Sequence, residues 1–314
     1  MKAVRVTKND GATSLNVEDV PKPSIKSGEL LVKIKASGIM PADILNSKGG
    51  FGMTTFPRTI GKDFAGTVVE GSDDWVGKDV YGTSGSSFSF TEDGAQAEYA
   101  VLRENAVALK PKSLSFTQAA SIGTPFTTGL TTLRRARAKS SDIVMVLGAT
   151  GSVGSSVMQM AKGMGCKTIS VGRHGTDVNS QDDPQLSKAK DLTDGKGPDV
   201  VVDTVGDFNL TKAAINVMAN FGRISIITAP RQGSTELAVD ILSLYRRQIE
   251  IIGCNTASPS QEEMAQLLTG LNDQFESGKL QGPAEDSLSR ITIDEAPEKA
   301  YSGKIKKAVI VFEE

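Results

Sequence analysis

The first third of the chain carries short runs of alternating apolar and polar positions, broken at close intervals by glycine. Residues 1–7, 30–36, 95–101 and 106–109 show the alternation or the β-branched content that predicts strands. The glycines between these runs mark turns. The pattern therefore predicts an antiparallel, partly barrel-like β domain over residues 1–115.

The pattern changes to helical spacing and apolar runs after residue 115. The segment SFTQ at residues 115–118 has the spacing of a capping box, and a helix is predicted from residue 127 to about residue 138. Beyond it, helical stretches alternate with apolar runs at residues 143–147, 167–171, 199–203, 223–228 and 249–253. This alternation predicts an α/β domain with a Rossmann-like, doubly wound parallel sheet.

Two domains follow from these patterns and from the length of 314 residues, which is long for one core. The last apolar run, residues 306–312, predicts a strand that returns to the first domain. We therefore expect residues 1–115 and 286–314 to form one domain. Residues 116–285 should form the other, which would bind a dinucleotide.

Composition narrows the classes of function. The formal net charge of −2 supplies no basic field, so we expect no nucleic-acid partner and no binding to an anionic membrane. No apolar run is long enough to cross a bilayer, and the first residues lack the apolar core of a signal peptide. The two cysteines cannot form a disulfide framework, which favours a reducing, cytoplasmic location. The single histidine, His174, argues against His-rich metal sites and against a Ser-His-Asp triad.

A glycine-rich turn with the sequence GATGSVG lies between a predicted strand and a predicted helix at residues 148–154. Glycines in such a turn let backbone amides approach a pyrophosphate, and the start of the helix adds partial positive charge. A tight turn without a ligand is the alternative interpretation. The predicted cofactor contacts in this turn are Gly148, Thr150, Gly151, Ser152, Val153 and Gly154.

The residues after the next predicted strand favour NADPH over NADH. NAD-binding folds place an acidic residue there, which binds the ribose 2′-hydroxyl. This chain has Arg173 and His174 at that point, and no carboxylate occurs before Asp177. An arginine can bind a 2′-phosphate through two hydrogen bonds, whereas a carboxylate would repel it. A solvated surface role for Arg173 and His174 is the alternative.

Three motifs occur in order and give the chain a family resemblance. They are GKDFAGTVV at residues 61–69, AEY at residues 97–99 and LTDGKGPDVVVDTVG at residues 192–206. Together they resemble the zinc-independent quinone oxidoreductases and 2-enoyl reductases of the medium-chain dehydrogenase/reductase superfamily, over nearly the whole chain. The resemblance implies a GroES-like β-barrel domain in addition to the Rossmann domain, and a homodimer joined along the strand at residues 249–253.

Two departures from the family pattern bear on the site. The segment 174–198 is shorter than is usual in the family. Dinucleotide-binding sheets have the strand order 3-2-1-4-5-6, and strand 3, at the edge of the sheet, could therefore be missing here. Its loss would open the adenine side of the cofactor site. The tyrosine that serves as an acid in enoyl reductases is also not present in its expected segment.

The resemblance also bears on metal binding. The zinc alcohol dehydrogenases of the superfamily bind catalytic zinc through Cys, His and Cys, and Met40, Lys62 and Thr124 stand at those positions here. A thioether, an ammonium and a hydroxyl do not form a tetrahedral zinc site, so no metal is expected. The resemblance further matches Asp43 to a family aspartate with a structural role.

The activity that the resemblance implies is hydride transfer from NADPH to a quinone or an α,β-unsaturated carbonyl compound. It assigns Thr128 to orienting the nicotinamide. Further cofactor contacts are expected where later strands end, at Gly206, Ala229 and Asn255. Lys62 could donate a hydrogen bond to a substrate oxygen, or be an exposed surface lysine.

The substrate side should be apolar and suited to a small hydrophobic acceptor. Met40, Phe51, Phe56 and Phe88 are the candidates for its lining, and packing in the core of the first domain is the alternative. Two other functions remain open. One is reduction of an enoyl thioester or a polyketide intermediate, and the other is a non-catalytic, NADPH-binding regulatory role.

Overall fold

The computed structural model describes residues 1–230 and 232–312. Its strands, in chain order, are β1 (Lys2–Asn9), β2 (Ala12–Asp19), β3 (Glu29–Gly38), β4 (Arg58–Thr59), β5 (Asp63–Glu70), β6 (Asp79–Gly82), β7 (Tyr99–Arg103), β8 (Ala108–Leu109), β9 (Ile143–Leu147), β10 (Lys167–Gly172), β11 (Val178–Asn179), β12 (Val200–Asp203), β13 (Arg223–Ile226), β14 (Glu250–Gly253), β15 (Ser289–Ile291) and β16 (Ala308–Val311). Its α-helices are α1 (Pro41–Ser47), α2 (Phe116–Ala119), α3 (Gly123–Arg135), α4 (Ser152–Gly163), α5 (Ser187–Asp191), α6 (Phe208–Val217), α7 (Ile241–Arg247), α8 (Gln261–Thr269) and α9 (Asn272–Glu276). Short helical turns of other types occur at Glu104–Ala106, Glu285–Ser287 and Pro297–Tyr301.

The chain divides into two compact units, Met1–Thr124 with Ala257–Glu314 and Pro125–Thr256. The predicted boundaries differ, since residues 116–124 and 257–285 belong to the first unit. There α2 packs against β3 and β5, and α8 packs against β6 and β8. The prediction followed a change of periodicity, whereas the units are decided by which apolar faces meet.

The contacts of a buried tyrosine show why α8 and α9 belong to the first unit. Tyr81 of β6 has no exposed surface, and its hydroxyl lies 3.2 Å from Leu268 O and 2.8 Å from Asn272 Oδ1. The Asn272 amide in turn donates to Leu109 O at 2.8 Å. These contacts join residues that lie far apart in the sequence, so local periodicity could not predict them.

The first unit is built from two mainly antiparallel sheets. One has the strand order β2-β1-β4, and the other has the order β15-β16-β3-β5-β6-β8, with β7 also paired to β3. Shifts in the pairing of β3 with β5 fall at Leu31/Val32 and Ile34/Ala36. Such irregularities bend a strand, which gives the unit the curvature of a GroES-like barrel. The pairing of β16 with β3 confirms that the last strand returns to this unit.

The core of the first unit lies inside these sheets. Val32 and Ile34 of β3, Phe64 of β5 and Ile310 of β16 are fully buried members of one cluster. Burying each such side chain stabilises the fold by about 1.5–3 kcal/mol relative to exposure. Side chains from three strands of the larger sheet therefore meet in this core.

The second unit is a parallel six-stranded sheet with the order β11-β10-β9-β12-β13-β14. This is the doubly wound order 3-2-1-4-5-6 of dinucleotide-binding folds. The central strand β9 is buried at Val144, Met145, Val146 and Leu147. Edge strand 3, which the short segment 174–198 left in doubt, is present as the two-residue strand β11.

Two helix starts are fixed in different ways, one by neighbouring residues and the other by a residue from a distant strand. The capping box is confirmed, because Ser115 Oγ accepts from Gln118 N and Gln118 Oε1 accepts from Ser115 N, both at 3.1 Å. Helix α3 begins at Gly123 rather than residue 127, and Asp63 of β5 accepts from Thr124 N at 2.9 Å. That cap comes from a distant strand. None of the described helices has the length and apolar composition needed to cross a membrane.

Candidate active site

The glycine turn, residues 148–154, connects β9 to α4 and leaves no room for side chains where it folds back. Gly148 has a φ of +76°, and its N–H donates to Val171 O at 2.9 Å, which ties the turn to the end of β10. A Cβ on Gly154 would lie 2.1 Å from Gly148 O, and a Cβ on Gly148 would lie 2.6 Å from Thr204 Oγ1. Backbone therefore forms this surface, as the motif predicts.

The first turn of α4 offers N–H groups that no side chain of the preceding residue caps. That residue is Gly151, which makes no side-chain cap hydrogen bond. Thr150, Gly151 and Ser152 are exposed, whereas Val153 is half-buried and Gly154 is buried. N–H groups at a helix start carry partial positive charge and bind phosphate groups. The glycine turn therefore fits the diphosphate of a dinucleotide.

Three other predicted cofactor residues lie at the carboxyl ends of the sheet strands. Gly206 follows β12, Ala229 follows β13 and Asn255 follows β14. A Cβ on Gly206 would lie 3.0 Å from the Ala229 backbone, so these two loops are in contact. Open parallel sheets bind ligands at this edge. That these residues contact a cofactor stays a prediction.

Thr128 lies on α3 and is 5% exposed. Its Oγ1 lies 3.3 Å from Thr256 Oγ1, where either hydroxyl can donate. The contact places Thr128 against the chain just after β14. Its role in orienting the nicotinamide also stays a prediction.

The predicted 2′-phosphate residues, Arg173 and His174, are exposed and directly follow β10. The loop after them folds back, so that Asp177 accepts from Ser170 N at 2.8 Å and from Ser170 Oγ at 2.7 Å. These bonds hold the pKa of Asp177 below its usual value. A carboxylate, that of Asp177, therefore does lie beside β10, but it is hydrogen-bonded to Ser170.

In the first unit, Lys62 is buried, with only 6% of its surface exposed. The alternative of a surface lysine is therefore wrong. Its ammonium lies 5.5 Å from the ring centre of Phe51 and 5.0 Å from that of Phe90. The two rings contact each other edge to face, with centres 5.1 Å apart. Burial lowers the pKa of Lys62, and the negative charges of Asp43 and Asp63 oppose that shift.

The two carboxylates beside Lys62 are fully buried and differ in their partners. Asp63 accepts from Thr83 Oγ1 at 2.5 Å, from Thr124 Oγ1 at 2.6 Å and from Thr124 N at 2.9 Å. Asp43 accepts from Met40 N at 2.8 Å through Oδ2. Its other oxygen, Oδ1, is buried and has no hydrogen-bond partner among the described residues. Burial raises the pKa of both carboxyls, that of Asp43 to about 7.

A tyrosine and a glutamine complete what we call the Lys62 cluster, defined as Asp43, Lys62, Asp63, Gln96 and Tyr301. The Tyr301 hydroxyl donates to Gln96 Oε1 at 2.5 Å. Burial, followed by the charge of Asp43, raises the pKa of Tyr301 well above its usual value. The cluster is thus a buried polar group inside an apolar barrel, which is where perturbed acids and bases mark functional sites.

The residues at the zinc-ligand positions do not fit zinc. Lys62 carries an ammonium, and the Thr124 hydroxyl donates to Asp63 Oδ1 at 2.6 Å. Met40 is buried and could offer only a thioether. Across residues 1–230 and 232–312, no group of three or more His, Cys, Asp or Glu side chains is placed to hold a metal ion.

The four candidates for an apolar substrate lining differ in what they contact: two pack against the core of the first unit, and two contact the Lys62 cluster. Phe88 is 1% exposed and packs on Phe64 with ring centres 5.8 Å apart, and Phe56 packs against the same core. Phe88 therefore packs in the core and Phe56 lies half-buried at its edge, and a role of either in lining a substrate site stays a prediction. Phe51 is half-buried and Met40 is buried, and both contact the Lys62 cluster.

Sequence reasoning missed most of this cluster. Asp63 stands next to Lys62 in the GKDFAG motif, so its participation could have been inferred from that motif. Gln96 and Tyr301 give no comparable signal, because they are separated by 205 positions and meet only through the folded barrel.

Comparison with known proteins gives consistent matches. Residues 26–112 match the family model of the alcohol dehydrogenase GroES-like domain, and residues 152–272 match that of the zinc-binding dehydrogenases. A zinc-type alcohol dehydrogenase-like protein of Schizosaccharomyces pombe is 48% identical over 282 residues, which cover 89% of this chain and 86% of that protein. A quinone oxidoreductase of Sus scrofa is 30% identical over 297 residues, covering 89% of this chain and 88% of that protein.

A solved structure shows the same fold. It is an alcohol dehydrogenase superfamily protein from Novosphingobium aromaticivorans, with a TM-score of 0.85, 24% identity and coverage of 100% of both chains. The family matches account for both units, and the two relatives are similar over most of their length. Such proteins are oxidoreductases that bind a nicotinamide cofactor. The chain therefore belongs to the medium-chain dehydrogenase/reductase superfamily, in its quinone oxidoreductase-like branch.

Proposed function

We propose that this protein is an NADPH-dependent, zinc-independent reductase that transfers hydride to a quinone or an α,β-unsaturated carbonyl compound. The observation that carries the proposal is the glycine turn, where the missing side chain of Gly154 lets α4 begin against backbone. When bound, NADPH supplies the hydride from its nicotinamide ring. The glycine turn and the start of α4 would hold its diphosphate.

The preference for NADPH over NADH is supported by the end of β10. Arg173 and His174 are exposed there, so a 2′-phosphate can reach them. The acidic group in the same loop, Asp177, is engaged by two hydrogen bonds from Ser170. An arginine that is free to bind a phosphate favours the phosphorylated cofactor.

Lys62 is the residue that we assign to the acceptor's oxygen. Negative charge develops on that oxygen as hydride adds to the acceptor. A buried ammonium stabilises such charge more strongly than an exposed one, because water does not screen it. The rings of Phe51 and Phe90 provide these apolar surroundings. The misfit of Met40, Lys62 and Thr124 with zinc supports a reaction without that metal.

Two further features belong to the proposal. Within the described residues β14 pairs only with β13, which leaves it as a sheet edge, and we propose that a second copy joins there to form a homodimer. Cys166 and Cys254 are both buried free thiols, which supports a reducing compartment such as the cytoplasm.

The test is a titration of NADPH and NADH followed by cofactor fluorescence, then turnover with quinones, enones and a crotonyl-type thioester. We expect tighter binding of NADPH, turnover with a quinone or an enone, and no response to zinc or a chelator. Equal or tighter binding of NADH would contradict the role of Arg173. Turnover of the thioester alone would favour an enoyl thioester reductase. Tight NADPH binding without turnover would favour a regulatory protein.

A further inference from the structure

The charges of the Lys62 cluster do not balance if every group is ionised. Asp43, Lys62 and Asp63 are each at most 6% exposed, so two carboxylates and one ammonium would leave a net negative charge in the core. Burying an unpaired charge is strongly unfavourable. One of the two carboxyls should therefore hold a proton near neutral pH.

Hydrogen bonds decide which carboxyl holds that proton. Asp63 is held by Thr83 Oγ1, Thr124 Oγ1 and Thr124 N, and such donors stabilise an anion. Asp43 has weaker support: it accepts from Met40 N at 2.8 Å and the Lys62 backbone N–H also lowers its pKa, but its Oδ1 is buried and makes no hydrogen bond among the described residues. Asp63 is therefore the anion whose charge offsets that of the Lys62 cation, and Asp43 is the acid.

We infer that Asp43 is the internal proton source for Lys62, so that Lys62 donates a proton to the acceptor's oxygen and Asp43 then returns one to the lysine. The inference rests on the proposed function. Lys62 is the catalytic residue in this scheme, and Asp43 is a positioning residue that acts through it. The raised pKa of Asp43, about 7, fits a carboxyl that can both hold and release a proton near neutral pH.

The proton transfers balance when the acceptor is an enone. A bound nicotinamide cofactor would supply the hydride for the β-carbon, which would leave negative charge on the oxygen. An O–H bond forms there as an N–H bond of the Lys62 ammonium breaks. The neutral amine takes the proton of the Asp43 carboxyl, and solvent later restores the proton to Asp43. The acceptor has then gained one hydride and one proton.

The other polar groups that face this pair do not supply the proton. Asp63 is the hydrogen-bonded anion. The Tyr301 hydroxyl donates to Gln96, and burial raises the pKa of Tyr301 well above its usual value, so it stays neutral. Asp43 and Lys62 are therefore the members of the Lys62 cluster that can exchange a proton near neutral pH.

The experiment measures pH profiles of enone or quinone reduction at saturating NADPH. In the wild type kcat should fall as the pH rises through about 7, because Asp43 then loses its proton. Asp43→Asn should lose this fall. Lys62→Met should lower kcat about a hundredfold or more, as expected for a missing general acid. Lys62→Arg keeps the charge but cannot release a proton, so it should lose as much.

The control variant is Asp79→Asn, which removes an exposed carboxylate that accepts from Thr67 Oγ1. It should keep the wild-type profile. A readout without cofactor is carbon-13 NMR of the carboxyl groups. The signal missing from Asp43→Asn should titrate near pH 7 in the wild type. It should move to higher pH in Lys62→Met, because the cation that stabilises the Asp43 anion is gone.

An unchanged pH profile in Asp43→Asn, or full activity in Lys62→Arg, would overturn the inference while leaving the proposed function intact. If Asp43→Asn does not fold, the wild type decides. A kcat without an ionisation between about pH 6 and 8, or an Asp43 carboxyl already ionised at pH 6, overturns the inference. A wild type that oxidises no NADPH with any acceptor overturns both proposals.

Discussion

Single atoms of Gly154 and Gly148 decide whether the glycine turn can hold a diphosphate. The carbonyl of Gly148 occupies the space that a Cβ on Gly154 would need, at 2.1 Å. At the other end of the same helix, Gly163 has nothing within 4 Å of the place where its Cβ would lie. The helix therefore contains one glycine that packing requires and one that it does not.

We expect Gly154→Ala to destabilise the protein by about 1–3 kcal/mol, the usual cost of overpacking, and to weaken NADPH binding at least tenfold. Gly163→Ala is the matched control. It should leave binding unchanged and stability equal or slightly higher, because alanine favours a helix. Thermal unfolding and a cofactor titration check both variants. Equal behaviour of the two would contradict the packing argument.

Arg173 is the residue on which the choice of cofactor depends. We expect Arg173→Ala to raise the Kd for NADPH about 10- to 100-fold, the loss of a charge-assisted hydrogen bond, and to leave the Kd for NADH unchanged. Lys167→Ala, at the opposite end of β10, removes an exposed cation away from the strand's carboxyl end and serves as the control. An equal loss of affinity for NADPH and NADH would contradict a 2′-phosphate site at Arg173.

The raised pKa of Asp43 also predicts how the free energy of unfolding changes with pH. Its folded-state pKa of about 7 lies above the usual value of 3.8, so the folded protein holds a proton that the unfolded chain releases. Stability contributed by this group is therefore complete below about pH 4 and falls by about 4 kcal/mol as the pH rises through 7. Urea unfolding should show a shallower fall for Asp43→Asn than for the wild type. An equal slope would contradict the raised pKa.

At the scale of elements, local capping fixes several helix starts. Ser260 precedes α8 and accepts from Glu263 N at 3.2 Å, while Glu263 accepts from Ser260 N at 2.7 Å. We expect Ser260→Ala to cost about 1 kcal/mol of stability. Gln266→Ala, an exposed position of the same helix, should change stability by less than about 0.5 kcal/mol. Thermal unfolding of both variants decides whether the cap stabilises the helix.

At the scale of the whole molecule, the edge of the parallel sheet exposes apolar side chains. Ile251 of β14 is 41% exposed, and Ile241, Leu242 and Tyr245 of α7 are more exposed still. An apolar, unpaired edge favours association with a second copy. If the proposed dimer forms there, Ile251→Lys should shift the mass measured by light scattering from dimer to monomer. Val76→Lys, at an exposed apolar residue of the first unit, should leave it unchanged.

The sequence by itself determined the antiparallel β domain, the parallel sheet, the glycine turn and the family, because these depend on local periodicity and on motifs that are contiguous in the chain. It also placed Arg173 at the end of its strand. Only the tertiary structure showed that Lys62 is buried, that Phe88 packs on Phe64 in the core, and that the first unit takes in α2 and α8. Burial and proton affinity depend on groups brought together from distant parts of the chain, such as Asp43 and Tyr301, and no local pattern encodes those meetings.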